Sequence, residues 1–381
     1  MKISKKVDRL PPSGIREFFD LVIGMKEVIS LGVGEPDFTT PWNIRETAIY
    51  SLEQGYTSYT SNRGLYELRL EISRFLKSHY SLDYSPDEEI LITVGVSEAF
   101  DLALRALINP GDKVIVPEPS YVSYAPVSIL AGGEVLYLKT DKEGGFKIDP
   151  QKLDKICDRK AKYLVLNYPC NPTGVSYTKK ELNDIKKVVI KKNLTVISDE
   201  VYDELTYDFS HIPLAKLDGM KSRTIYLNGF SKAYAMTGWR VGFAAGPAKA
   251  IAGMTKIHQY TMLCAPITGQ IAAREALKNG TKSVEQMRNE YRRRRDFIVK
   301  ELCRIGLDCH RPQGAFYVFP SIKKTGMKSV EFAKELLKRE KVAVVPGVAF
   351  GPSGEGYVRM SYATSLSNIK EAVSRIEHFL K

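Results

Sequence analysis

The chain has 381 residues, 44% hydrophobic and 26% charged, which is enough for two or three folding units and too apolar for a disordered polymer. No apolar run approaches the roughly 18 residues of a membrane span, and the basic start Met1-Lys2-Ile3-Ser4-Lys5-Lys6 meets Pro11-Pro12 without an apolar core. No membrane partner and no secretory leader are therefore expected, and the cytoplasm is the expected compartment. The formal charge of +12 is spread along the sequence, and no nucleic-acid-binding pattern accompanies it, so no nucleic-acid partner is expected.

In chain order, β-branched runs predict strands over 89–94, 113–116, 134–137, 163–166, 194–197, 224–227 and 241–244. Helical patterns lie between several of them, for example over 97–108 and 179–192. This alternation predicts an α/β fold, a mostly parallel sheet between two helical layers. The last hundred residues differ. A long charged helix over 282–304 precedes short strands over 316–319, 342–345 and 358–362 and a closing helix over 366–380. The expected division is an N-terminal segment (1–45) joining a smaller α+β domain (282–381), with a large α/β domain over 46–281. Within the charged helix, Arg292-Arg293-Arg294-Arg295 reads as a solvated face. The five cysteines are odd in number and lack metal-site spacing, so reduced thiols and no metal are expected. The five histidines are scattered and read as structural or surface residues.

Ligands of open α/β sheets sit beyond the carboxyl ends of the strands. Three strands end there in chemistry-bearing residues: Asn171 in Asn171-Pro172-Thr173-Gly174, Asp199 in Asp199-Glu200-Val201-Tyr202, and Lys232 in Ser231-Lys232. Their spacing is about one strand–helix unit each, which brings an amide, a carboxylate and an amine to one sheet edge. No other charge accompanies Lys232 until Arg240, and an amine among apolar neighbours suits Schiff-base chemistry. Ser231 and Arg240 can bind a phosphate, as can the turn Gly95-Val96-Ser97 at a helix start. Together these features describe a seat for pyridoxal phosphate.

The motifs, in order, are Gly32-Val33-Gly34-Glu35-Pro36-Asp37, Tyr59-Thr60-Ser61-Asn62-Arg63-Gly64, Asn171-Pro172-Thr173-Gly174, Asp199-Glu200-Val201-Tyr202, Ser231-Lys232 through Arg240-Val241-Gly242, and Tyr357-Val358-Arg359-Met360-Ser361. In this the chain resembles the class I/II, fold-type I pyridoxal-phosphate aminotransferases, and most of all archaeal aromatic aminotransferases. The resemblance implies a mixed, mostly parallel seven-stranded sheet. It implies that Lys232 binds the cofactor covalently and moves the substrate Cα proton, and that Asp199 pairs with the pyridinium nitrogen. Asn171 and Tyr202 are then expected at the ring hydroxyl and Tyr121 on the ring face. Val96, Ser97, Ser231 and Arg240 are expected at the phosphate, with Tyr59 reaching it from the partner of a homodimer. Arg359 is expected to clamp the substrate carboxylate, helped by Gly34. Strand alternation independently sets Tyr357, Arg359 and Ser361 on one face.

The cations that relatives use for a second substrate carboxylate are missing at the corresponding places: Ser97 stands in the phosphate turn, and 256–262 holds no Arg. Lys256 and His258 are the remaining candidates for that role. The expected activity is transfer of an amino group from an aromatic L-amino acid to a 2-oxo acid such as 2-oxoglutarate, by a ping-pong mechanism. Aspartate or broad specificity is the alternative. Behind these stand a lyase or synthase on the same cofactor and a cofactor-binding regulator, for which the 31 residues before the first motif leave too little chain.

Overall fold

The computed structural model describes residues 1–8, 10, 14, 25 and 27–381. β1 (Ile29–Ser30) opens the described strands; β2 (Ile90–Thr93), β3 (Lys113–Glu118), β4 (Glu134–Lys139), β5 (Ala161–Asn167), β6 (Thr195–Asp199), β7 (Thr224–Gly229) and β8 (Gly242–Ala245) form the main sheet. Their order is β2-β8-β7-β6-β5-β3-β4. All pairs are parallel except the two made by β8, which runs against β2 and β7. The carboxyl ends of β2, β5, β6 and β7 and the start of β8 consequently meet along one edge.

Both faces of this sheet are buried, which explains its near-continuous apolar strands. On one face Val114, Val165, Ile197 and Leu227 pack against helix Gly95–Leu107 and against Ile251 and Met254 of helix Ala248–Thr261. On the other, Ile115, Leu164, Leu166 and Val196 pack against Leu182, Ile185 and Val189 of helix Lys179–Lys191. That helix starts where expected because Thr178 and Glu181 cap each other's backbone N–H groups.

Helices Thr281–Arg304, Ser329–Glu340 and Leu366–Phe379 build a further core, which Val201, Tyr202, Leu205, Tyr207 and Ala235 also enter. β9 (Tyr317–Val318), β10 (Val342–Ala343), β11 (Val345–Pro346) and β12 (Val358–Ser361) accompany them. The single strand expected over 342–345 is two. Val342–Ala343 pairs in parallel with β1, whereas Val345–Pro346 pairs antiparallel with β12. Leu31, next to β1, is buried in this same core. Residues 9, 11–13, 15–24 and 26 of the N-terminal segment expected to join it lie outside the described residues.

The arginine block is not a solvated face. Arg292 and Arg293 are exposed, but Arg294 and Arg295 are buried. Arg294 pairs with Asp37 at 2.8 Å and with Glu290 at 2.9 Å, and Arg295 pairs with Asp208 at 2.7 Å. Four consecutive residues sweep right around a helix, so one block necessarily faces both solvent and core.

Candidate active site

A cavity of about 1070 Å³ opens at the sheet edge where the strand ends meet. Lys232 follows β7 and points its amine into this space, where Nζ donates to the Gly34 carbonyl at 2.8 Å. Burial pulls the amine down to about 8, with Arg359 and Arg240 pushing the same way and Glu35 opposing them. A substantial neutral, nucleophilic fraction is thus available near pH 8.

Asp199 ends β6, in register with Asn167 of β5 and Leu227 of β7. Its carboxylate accepts from Tyr124 Oη at 2.7 Å and from the Val201 N–H at 3.2 Å. Burial pushes it up to about 6, and those two hydrogen bonds resist the rise. Such a group is prepared for a cationic partner, which would restore its ionised form. Asn167 ties the neighbouring strand ends together. Its Nδ2 donates to the Asp199 carbonyl at 2.9 Å, and its Oδ1 accepts from the Asn171 N–H at 3.0 Å.

An anion seat lies across the cavity. Helix Gly95–Leu107 begins there, and its N-cap residue, Val94, has no side-chain acceptor for the first-turn N–H groups. Gly95 has φ +74, and a Cβ on it would stand 2.6 Å from Arg240 Nη2. Arg240 itself has φ +54, a costly conformation for a side-chain-bearing residue, and it has no acidic partner among the described residues. Gly242 lets β8 approach this turn: a Cβ there would meet Gly95 C and Val96 N at 2.7 Å. Ser97 and Ser231 complete the lining on this side.

Arg359, on β12, is 2% exposed yet has no carboxylate within ion-pair distance among the described residues. Nη1 donates to Asn171 Oδ1 at 2.9 Å, Nη2 donates to the Gly32 carbonyl at 2.5 Å, and Nε is buried without a partner. The guanidinium lies 4.5 Å from the Tyr317 ring centroid. A buried cation held by neutral groups alone is costly, and the arrangement is complete only with an incoming anion.

Gly34, Val96, Ser97, Tyr121, Asn171, Asp199, Tyr202, Ser231, Lys232, Arg240 and Arg359 all line the one cavity. Tyr59 does not: it is 82% exposed on the chain's surface. Neither residue considered for a distal carboxylate faces the site. Lys256 is exposed elsewhere, and His258 is fully buried with its Nδ1 2.6 Å from Glu98. Sequence reasoning missed Asn167, Tyr124 and Tyr317, the last bonded through its hydroxyl to Tyr202 at 2.9 Å. Tyr124 was within reach, since it opens the helix three residues beyond Tyr121 and lines the same cavity.

An anionic aldehyde with a basic ring nitrogen matches this donor set: a depressed amine, a buried carboxylate and an unsatisfied helix start beside an unpaired arginine. The family model for aminotransferase class I and II matches residues 26–376. The chain belongs to this family. As the family's members depend on pyridoxal phosphate, the protein is a pyridoxal-phosphate-dependent aminotransferase of fold type I. A putative aminotransferase of Bacillus subtilis, YugH, is 55% identical over 99% of this chain and 98% of its own length. An aspartate aminotransferase of Pyrococcus abyssi is 47% identical over 100% of this chain and 99% of its own. The solved aromatic aminotransferase of Pyrococcus horikoshii superposes with a TM-score of 0.91 at 46% identity, covering 96% of this chain and 98% of its own. Among the described residues, no helix is long and apolar enough to cross a membrane.

Proposed function

We propose that this aminotransferase takes its amino group preferentially from an aromatic L-amino acid and passes it to a 2-oxo acid such as 2-oxoglutarate. The two substrates would bind in turn, the first product leaving before the acceptor enters. The observation that carries the donor preference is the charge inventory of the cavity. Among the described residues its cations are Lys232, Arg240 and Arg359, each with an assigned task, and its remaining lining includes Val33, Phe100, Tyr121, Val122 and Val127. A second substrate carboxylate would meet no free cation among the described residues, and leaving it unpaired is costly. An apolar ring instead gains by leaving water. Aspartate as donor is the second reading, favoured by the 47% identity to the aspartate aminotransferase.

Bound pyridoxal phosphate supplies the electron sink that makes the substrate Cα–H acidic. In this reading Lys232 Nζ binds the cofactor and then carries the Cα proton. Asp199, ionised by its cationic partner, keeps the ring nitrogen protonated, with Tyr124 and Asn167 holding it in place. Asn171 and Tyr202 direct their polar groups to the ring hydroxyl, and Tyr121 covers a ring face. The Gly95–Ser97 turn, Ser231 and Arg240 hold the phosphate. Arg359 grips the α-carboxylate, for which its unpartnered Nε and planar fork are suited.

A homodimer belongs to the same reading, with Tyr59 reaching the partner's phosphate seat. It is supported by exposed apolar side chains on two segments joined by a hydrogen bond from Asn62 to the Leu263 carbonyl: Tyr56 and Tyr59 on one, Tyr260 and Met262 on the other. A division into 46–281 and a smaller unit of 1–45 with 282–381 is supported by the core that Leu31 shares with the C-terminal helices, to which 46–281 adds only Val201, Tyr202, Leu205, Tyr207 and Ala235 among the described buried residues. A cytoplasmic setting is supported by five cysteines that are all unpaired. Comparing kcat/KM for phenylalanine, tyrosine and aspartate at a fixed acceptor concentration tests the donor preference. Values for the aromatic donors above that for aspartate are expected, and the reverse order would establish the second reading.

A further inference from the structure

The buried half of the arginine block touches the site through the loop Gly32–Thr40. Arg294 Nη1 reaches both oxygens of Asp37, at 2.8 and 2.9 Å, while its Nε donates to Glu290 at 2.9 Å. Its guanidinium lies against an edge-to-face aromatic pair, 5.2 Å from the Phe38 centroid and 5.5 Å from that of Tyr291. Burial lowers the affinity of this group for its proton, but the hydrogen bonds to Asp37 and Glu290 outweigh that and hold it firmly protonated. The loop is fastened at a second point: Thr40 donates to the Ala235 carbonyl at 2.6 Å and accepts from Trp239 Nε1 at 3.0 Å.

Between these fastenings and β1, the loop presents two carbonyls to the reacting centre. Gly34 O accepts from Lys232 Nζ, and Gly32 O accepts from Arg359 Nη2. A second route leads from the same arginine to the same place. Tyr291 packs on Phe316 at 5.4 Å, Phe316 on Tyr317 at 4.9 Å, and the Tyr317 ring lies beneath Arg359. We propose that Arg294, whose guanidinium bridges Asp37 through Nη1 and Glu290 through Nε, is a positioning residue that fixes the Gly32–Thr40 loop and so sets the aim of Arg359 and Lys232. Arg294 itself is buried while Asp37 and Glu290 stay partly open to solvent, so what the planar guanidinium adds is direction: it holds the two acids at fixed angles. A lysine at this position would keep the charge and lose the direction.

This inference rests on the reading of Arg359 as the carboxylate clamp, and its test separates the two. Cofactor-loaded wild type, R294K, R294M and D37N would each be titrated with 3-phenylpropionate, an amine-free carboxylate, following the visible absorbance of the bound cofactor. The pH titration of that absorbance and the thermal midpoint would be recorded for each variant. A wild type that does not bind the carboxylate defeats the clamp reading itself. With binding established, R294M and D37N are expected to weaken it about tenfold or more and to displace the absorbance titration. R294K should fall closer to R294M than to wild type. Should R294M fail to fold, R294K and D37N carry the test. A lowered thermal midpoint with unchanged binding and unchanged absorbance titration would mark Arg294 as merely structural and overturn the proposal.

Discussion

Replacing Arg359 with methionine tests the carboxylate clamp most sharply, because the structure predicts a large effect on catalysis and little on stability. The side chain is buried without an acidic partner, so the free protein bears its desolvation uncompensated by an ion pair. Methionine removes that charge at similar volume, at the cost of the hydrogen bonds to Asn171 Oδ1 and the Gly32 carbonyl. The thermal midpoint should therefore stay within a few degrees of wild type. With substrate the balance reverses. Two charge-assisted hydrogen bonds to a carboxylate in this dry setting are worth about 3–5 kcal/mol together. The predicted loss is roughly two to three and a half orders of magnitude in kcat/KM for the amino acid. Steady-state kinetics with a saturating acceptor would measure it, and the absorbance of bound cofactor would show the cofactor seat intact. A loss below fivefold with a normal cofactor spectrum would refute the assignment. R359K should recover little, since an ammonium cannot span both oxygens.

Asp199→Asn should abolish transamination and yet stabilise the cofactor-stripped protein at pH 8. The carboxyl is raised from 3.8 to about 6, so the folded state binds the extra proton and loses stability as pH rises through that window, by about 3 kcal/mol at most. The advantage of the variant, read by calorimetry, must vanish near pH 4; a pH-independent difference would contradict the cause given. Recombination of stripped protein with pyridoxal phosphate should accelerate as pH rises through about 8 and then level off, because Lys232 must lose its proton to react. Stopped-flow absorbance would show this, and a flat profile would count against the depressed amine. Gly95→Ala should weaken cofactor retention at least tenfold, since its Cβ would displace Arg240 and strain a turn at φ +74; dialysis against cofactor-free buffer measures it, and unchanged retention would remove Arg240 from the seat. Mixing inactive K232A with a crippled Y59A variant should restore activity through hybrid dimers containing one intact site. No recovery despite subunit exchange would place Tyr59 outside the partner's site.

Much of the fold and most of the site were legible because both depend on short-range patterns. Asn171, Asp199 and Lys232 each lie at or just beyond the end of a buried strand, and parallel pairing in register delivers strand ends to one edge whatever the helices between them contain. Long-range pairings were not legible. Arg294 and Arg295 read as solvated because nothing local reveals Asp37, 257 positions away, or Asp208, 87 positions away. His258 was a plausible cation until the fold gave it Glu98, 160 positions earlier. Tyr317 stands in sequence between Phe316 and Phe319, and it is the hydroxyl bond to Tyr202 and the ring beneath Arg359 that set it apart. The strand at 342–345 was legible in type but not in pairing, because two adjacent dipeptides join different sheets.

The central claim is that this cavity moves an amino group from an aromatic donor to a 2-oxo acid. The most direct measurement is the half-reaction: loaded enzyme titrated with phenylalanine, tyrosine or aspartate without acceptor, then with 2-oxoglutarate, following the cofactor absorbance throughout. The account predicts stoichiometric bleaching that requires the least donor for the aromatic amino acids, release of one equivalent of 2-oxo acid, and full return of the absorbance with 2-oxoglutarate. Bleaching by aspartate alone, or 2-oxo acid released continuously with no acceptor present, would contradict it.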